Sequence, residues 1–214
     1  AGRPTPPADI AADLVAMDST GLSLGRNATL LHYPISPGAA VNIVAIVQEK
    51  WERKGWSAVG ARADIAAHFR GWPAAALKLL AAPVSWQKFA LMTVDPNGAW
   101  THGRLALLGD AAHAMLPFLA QGAAMAIEDA ALLGRALTDA RDIPAALHRY
   151  AAARKPRVAR MAEASRGAGD QYHQSGVMAL ARDTALRFAG TKLILDRNDW
   201  IYRWKPGDPD QAVR

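Results

Sequence analysis

The stretch GRLALLGDAAHAMLPFLAQGAAMAIEDAALL, residues 103–133, decides how the chain is read. Residues 105–108 form a short continuous apolar run, the pattern of a buried strand. The run stops at Gly109 and Asp110, and small residues then lead through Pro117 to Gly122, where helical periodicity begins. A strand, a Gly-Asp turn and a helix start in that order build a polar ligand site. Gly109 lets a ligand approach the backbone, and Asp110 offers an acceptor to a hydroxyl. The free amides at the helix start offer donors and the positive end of a dipole. A ligand with hydroxyls and an electron-rich head suits both ends. Taken singly, Gly-Asp is an ordinary turn and Gly122 an ordinary helix start; their combination carries the reading.

Downstream the pattern stays helical. Met125, Leu132, Leu133, Ala136 and Leu137 form one stripe, and Asp129 sits on it. A carboxylate on an apolar stripe must find donors nearby, so Asp129 reads as a buried structural acid rather than a base. His113, just after the turn, suits a structural hydrogen bond better than a catalytic role. A second helix starts at Asp142 as N-cap with Pro144 in its first turn, and Pro156 is expected to kink or end it. A third covers residues 177–188, where Val177, Leu180, Ala181, Thr184 and Phe188 share a face. Arg149, Arg154, Lys155, Arg157, Arg160 and Arg166 face only Glu163 in their segment. They read as a solvated helical face, since Tyr150 alone among them falls short of the interleaved aromatics of a nucleic-acid patch.

Toward the amino terminus the chain reads as short strands. Residues 29–35 and 41–47 flank Ser36, Pro37 and Gly38, a hairpin pattern. Two short helices are expected between Arg62 and Ala82, broken by Gly71 and Pro73, before a strand-like stretch over residues 86–94. The expected product over residues 22–91 is an antiparallel sheet with helices on one side. Thr29 and Tyr33 point to one side of their strand, which could face a ligand, and His32 to the other. The tryptophans read as core.

With 214 residues, 51% of them hydrophobic and 21% charged, the chain can bury a core and fits one large domain or two small ones. Even residues 123–133 are interrupted by Glu128 and Asp129, far short of the roughly 18 apolar residues of a membrane-spanning helix. The net charge of +6 collects in the arginine segment. Having no cysteine excludes disulfides and thiolate chemistry, and fits a reducing, cytoplasmic location. No metal site is expected. Residues 1–7 are polar and Pro-rich, and any targeting segment is expected to lie outside this sequence.

The segment from Gly109 onward closely resembles the third FAD-binding motif of the salicylate hydroxylase and para-hydroxybenzoate hydroxylase family, G-D-A-A-H followed by P-x-x-G-Q-G and a helix with Glu-Asp. His32, Tyr33, Pro34, Asn42, Trp86, Trp100, Trp200, Ile201 and Tyr202 extend the likeness over nearly the whole chain. Ala120 departs from it, standing where many relatives have glycine. The resemblance implies that Asp110 binds the ribityl chain, while the amides of Ala123 and Ala124 bind the pyrimidine edge of the isoalloxazine. The implied cofactor set is Gly109, Asp110, Pro117, Gln121, Gly122, Ala123, Ala124 and Met125; the implied substrate set is Thr29, Tyr33, Pro117 and Gln121. Gln121 reads equally as a mere helix cap. Some phenol hydroxylases of the family have a histidine where Thr29 stands, thought to help remove the phenolic proton, so no catalytic residue is assigned.

The family also implies a fold of the α+β class. An antiparallel substrate-domain sheet, residues 1–100, is followed by the last strand and helices of a Rossmann-like FAD-binding domain with a helical tail, residues 101–214. No G-x-G-x-x-G turn occurs, so the amino-terminal nucleotide-binding unit is expected to be absent from this chain. The implied reaction is hydroxylation of a small aromatic substrate by dioxygen, with NADH or NADPH reducing FAD and a flavin hydroperoxide inserting the oxygen. The alternatives are a non-aromatic or quinone-pathway substrate, or a non-catalytic fragment. A homodimer is the assembly expected.

Overall fold

The computed structural model describes residues 18–35, 40–188 and 191–206, so the residues 1–7 and the turn residues Ser36, Pro37 and Gly38 lie outside the described residues. The chain divides into two compact units, Ala1–Leu91 with Tyr172–Ala179, and Met92–Gln171 with Leu180–Arg214.

In the first unit β1 (Gly21–Gly25), β2 (Ala28–Ile35) and β3 (Ala40–Val47) form an antiparallel sheet in that order. The register sets Leu30 opposite Ala45 and His32 opposite Ile43, so alternate residues line one face. On that face Ala28, Leu30, Val41 and Ile43 are buried against Phe69, Leu79, Leu80 and Trp86. Phe69 follows α1 (Arg62–His68), and the two leucines belong to α2 (Ala74–Ala81). Each of the valine, leucine, isoleucine and phenylalanine side chains among them contributes about 1.5–3 kcal/mol by leaving water. Gly71, at φ 79°, and Pro73 separate the helices as expected.

The expected single sheet is in fact two ladders. Among the described residues β4 (Ser57–Gly60) pairs only with β5 (Trp86–Phe89). The cause is local: β3 closes on the Gln48 amide bonding the Asn27 carbonyl, and the chain then turns at Gly55, φ 80°, whose carbonyl accepts from the Trp51 indole. The strand expected over residues 86–94 ends at Phe89. Not every tryptophan is core either. Trp86 and Trp100 are buried, but Trp56 is 62% exposed and stacks on Phe89 at the surface.

The second unit opens with a hairpin of β6 (Thr101–His102) and β7 (Leu105–Ala106). Here the expected buried strand over residues 105–108 is corrected. Leu105 and Leu108 are exposed, and only Ala106 and Leu107 pack on the core. A continuous apolar run marks a strand meant to be covered on both faces, and this chain covers one. Then come α3 (Asp110–His113), a 3-10 turn (Pro117–Leu119), α4 (Gly122–Leu137), α5 (Ile143–Tyr172), α6 (Gly176–Phe188) and α7 (Thr191–Tyr202). No helix among the described residues is long and apolar enough to cross a membrane.

Asp142 caps α5 as read, its carboxylate accepting from the Ala145 amide at 3.1 Å. Pro156, however, neither ends nor divides this helix of 30 residues. Its ring deprives the Ala152 carbonyl of a donor, but Ala152 and Pro156 both lie on the exposed side, where water replaces the lost bond. The face shared by Val177, Leu180 and Phe188 on α6 is exposed rather than packed.

Candidate functional site

The turn at Gly109 shapes the site. Gly109 has φ 58° and ψ −143°, and a Cβ there would lie 3.2 Å from the Ala126 Cβ. That backbone region belongs almost wholly to glycine, at a cost of about 1–3 kcal/mol for other residues. Gly109→Ala is therefore expected to destabilise the protein by about that amount, read as a fall in denaturant midpoint. The Gly109 carbonyl accepts from the amides of Ala112 and His113, both at 2.9 Å, which makes α3 a single turn. Asp110 begins it, exposed, with no hydrogen bond to its carboxylate among the described residues.

The chain returns through the 3-10 turn to Ala120, in the left-handed region at φ 53° and ψ 32°. Glycine adopts that conformation freely, so alanine holds it at a small cost. The first helical bond of α4 runs from the Met125 amide to the Gln121 carbonyl, 2.9 Å, and leaves the amides of Gly122, Ala123 and Ala124 without helical acceptors. The Met125 amide is thus used within the helix, and its side chain is buried in the core. Gln121 does not cap α4 with its side chain, which is half-buried and donates to the Leu119 carbonyl at 3.2 Å. Behind the returning chain lies a cavity of about 220 Å³, walled by Val94, Pro96, Met115 and Leu116 with Asp95 and Arg166 also lining it.

Beneath the turn is a buried polar network. Asp129 is fully buried, and its Oδ2 accepts from the Gly109 amide at 2.9 Å and pairs with His113 Nε2 at 2.6 Å. Its Oδ1 accepts from Arg154 Nε at 2.7 Å. Arg154 also donates to Glu128 at 2.7 Å and to the Met125 carbonyl. Glu128 in turn receives two bonds of 2.7 Å from Arg157, which donates further to the carbonyls of Trp200 and Ile201. The indole of Trp204 lies over both guanidinium groups. Asp129 and His113 thus hold the structural places read for them.

The arginine segment does not. Arg154 and Arg157 are buried, paired to Glu128 and Asp129 on another helix rather than exposed beside Glu163. The signal was present in the sequence: Leu147, Tyr150, Arg154, Arg157, Val158 and Met161 fall on one stripe at helical spacing, and all six are buried.

Burial pushes the Asp129 carboxyl toward the neutral form, but hydrogen bonds from His113, the Gly109 amide and Arg154 outweigh it and hold its pKa below the usual carboxylate value. A depressed folded-state pKa gives stability that is complete above the unfolded value of about 4 and lost as pH falls through the folded one. Acid titration of the melting temperature is expected to show a falling limb below about pH 4, shallower in Asp129→Asn.

The residues read for a substrate lie in the first unit. Thr29 and Tyr33 share the β2 face opposite the helix-packed one, with Leu31, Val44 and Ile46 beside them by register. Thr29 is buried with no partner for its hydroxyl among the described residues, and the Tyr33 hydroxyl accepts from Asn42 Nδ2 at 2.7 Å. His32 points the other way, its pKa lowered by burial.

Residues 18–165 match the FAD binding domain family. The chain belongs to this family. It is 33% identical over 192 residues to the 3-hydroxybenzoate 6-hydroxylase of Polaromonas naphthalenivorans, covering 89% of this chain and 48% of that protein. It is 31% identical over 200 residues to the salicylate hydroxylase of Pseudomonas putida, covering 87% and 44%. A solved salicylate hydroxylase substrate complex shares 33% identity and a TM-score of 0.73 over 88% of this chain and 48% of that one. The structure of HpxO from Klebsiella pneumoniae complexed with FAD and uric acid shares 27% identity and a TM-score of 0.74, over 91% and 49%. The chain thus spans about half the length of the relatives it matches.

Proposed function

We propose that this chain supplies the isoalloxazine and ribityl side of an FAD site, and residues for a ring-substrate site, in a monooxygenase that hydroxylates a small aromatic acid with NADH or NADPH and dioxygen. The observation that carries the reading is the pairing, within one unit, of the exposed Asp110 carboxylate with the free amides of Gly122, Ala123 and Ala124. Asp110 would accept hydrogen bonds from the ribityl hydroxyls, with Gly109 allowing the close approach. The amides, at the positive end of the α4 dipole, would stabilise negative charge on the pyrimidine edge. Such donors are fixed before reaction and need no reorganisation during it. Bound FAD would supply the redox-active ring at which dioxygen is activated. Residues 101–214 would form this cofactor part, and residues 1–100 the substrate part. With no G-x-G-x-x-G turn here, the adenosine end falls to residues outside these 214.

For the substrate, Tyr33 receives its hydrogen bond from Asn42, which leaves the phenolic proton to donate. A carboxylate such as that of 3-hydroxybenzoate or salicylate would accept it. Thr29 would add a contact to the ring from the same strand face. The likeness to the HpxO structure with uric acid keeps a heterocyclic ring as a second reading. A cytoplasmic location belongs to the same proposal, supported by the absence of cysteine.

The test uses the protein as its gene encodes it. It should purify yellow with stoichiometric FAD, and 3-hydroxybenzoate or salicylate should perturb the flavin spectrum and draw NADH or NADPH oxidation in step with a hydroxylated product. A response to urate alone would favour the heterocyclic reading, and a protein that takes up no flavin would refute both. The 214-residue chain alone should hold FAD weakly, since it lacks the contacts for the adenosine end.

A further inference from the structure

We propose that Asp129 is a positioning residue for the flavin-binding turn, and that its ion network ties that turn to the carboxyl-terminal end of α7; this rests on the FAD reading above. One carboxylate oxygen, Asp129 Oδ2, holds both ends of the turn that carries Asp110, through the Gly109 amide at 2.9 Å and His113 Nε2 at 2.6 Å. Gly109 sits in a backbone region with few other restraints on a glycine, so this bond selects the orientation in which Asp110 leaves the turn.

The acceptor is itself held. Arg154 binds the other oxygen of Asp129 and bridges to Glu128, and Glu128 is gripped by both Nε and a terminal nitrogen of Arg157. Arg157 then satisfies the carbonyls of Trp200 and Ile201, which lie in the last turn of α7 and have no helical donor. Every carboxylate oxygen of Asp129 and Glu128 accepts at least one of these bonds, so a change at one end of the network is felt at the other. None of these side chains needs to touch the cofactor.

The experiment measures FAD affinity in the gene-encoded protein for wild type, Asp129→Asn, Arg157→Lys and Met161→Ala. Met161 is buried in the same core but takes no part in the network, so its variant reports loss of stability alone. Asp129→Asn is expected to raise the FAD dissociation constant about ten-fold and to alter the fine structure of the bound flavin's visible band. Arg157→Lys, which keeps the charge but loses the fork, is expected to raise it about three-fold. Met161→Ala should melt lower with unchanged affinity. If Asp129→Asn does not fold, Arg157→Lys decides. Unchanged affinity in both network variants, or an equal loss in Met161→Ala, overturns the proposal, whereas wild-type protein without flavin would instead overturn the FAD reading.

Discussion

Replacing Asp110 by alanine is expected to weaken FAD binding about ten-fold to a hundred-fold while the apoprotein melts close to wild type. Asp110 is exposed at the first position of α3, and its carboxylate has no hydrogen bond among the described residues. The folded state therefore loses little when it is removed. A hydrogen bond to a charged acceptor is worth roughly 1.5–3 kcal/mol, and each 1.4 kcal/mol is a factor of ten in affinity. Flavin titration followed by fluorescence measures the first quantity and thermal melting of the apoprotein the second. Unchanged affinity together with a collapsed melting temperature would make Asp110 a structural turn residue and remove the anchor of the cofactor assignment.

The opposite balance is expected of Arg154→Leu, which should destabilise the protein by about 3–5 kcal/mol. Arg154 is fully buried and bonds Asp129, Glu128 and the Met125 carbonyl. Leucine would leave the buried Asp129 carboxylate without its cation, and a charge stranded in an apolar interior costs far more than the ion pair itself contributes. Arg166→Ala, at an exposed position of the same helix, should change stability by less than about 0.5 kcal/mol. Urea unfolding of both variants makes the comparison. A loss of under about 1 kcal/mol in Arg154→Leu would mean that the network is looser than its distances indicate.

The parts legible in the sequence are those fixed by local chemistry. The order of elements around Gly109, the helix start at Gly122, the capping of α5 by Asp142 and the break at Gly71 and Pro73 follow from backbone preferences that residues carry with them. The burial of Asp129 was legible because a carboxylate on an apolar stripe has few other fates. Its partners were not. Arg154 and Arg157 looked like part of a solvated run because charge counting along one helix ignores a carboxylate pair arriving from α4. Pro156 misled for a related reason, since the carbonyl it frees lies on the exposed side of the helix, where water can serve it. Leu105 and Leu108 mark the remaining limit: apolar runs report which surfaces need cover, not what covers them.

The doubly used oxygen of Asp129 also constrains how such a protein can diversify. Selection acting on residue 129 cannot trade cofactor retention against fold integrity, because the same atom serves the Gly109 amide and the His113 ring. The β2 face with Thr29 and Tyr33 shares no hydrogen bond with that atom. If that face binds the ring substrate as proposed, adaptation to a new one would fall to the strand, where a side chain can change without loosening the turn that carries Asp110.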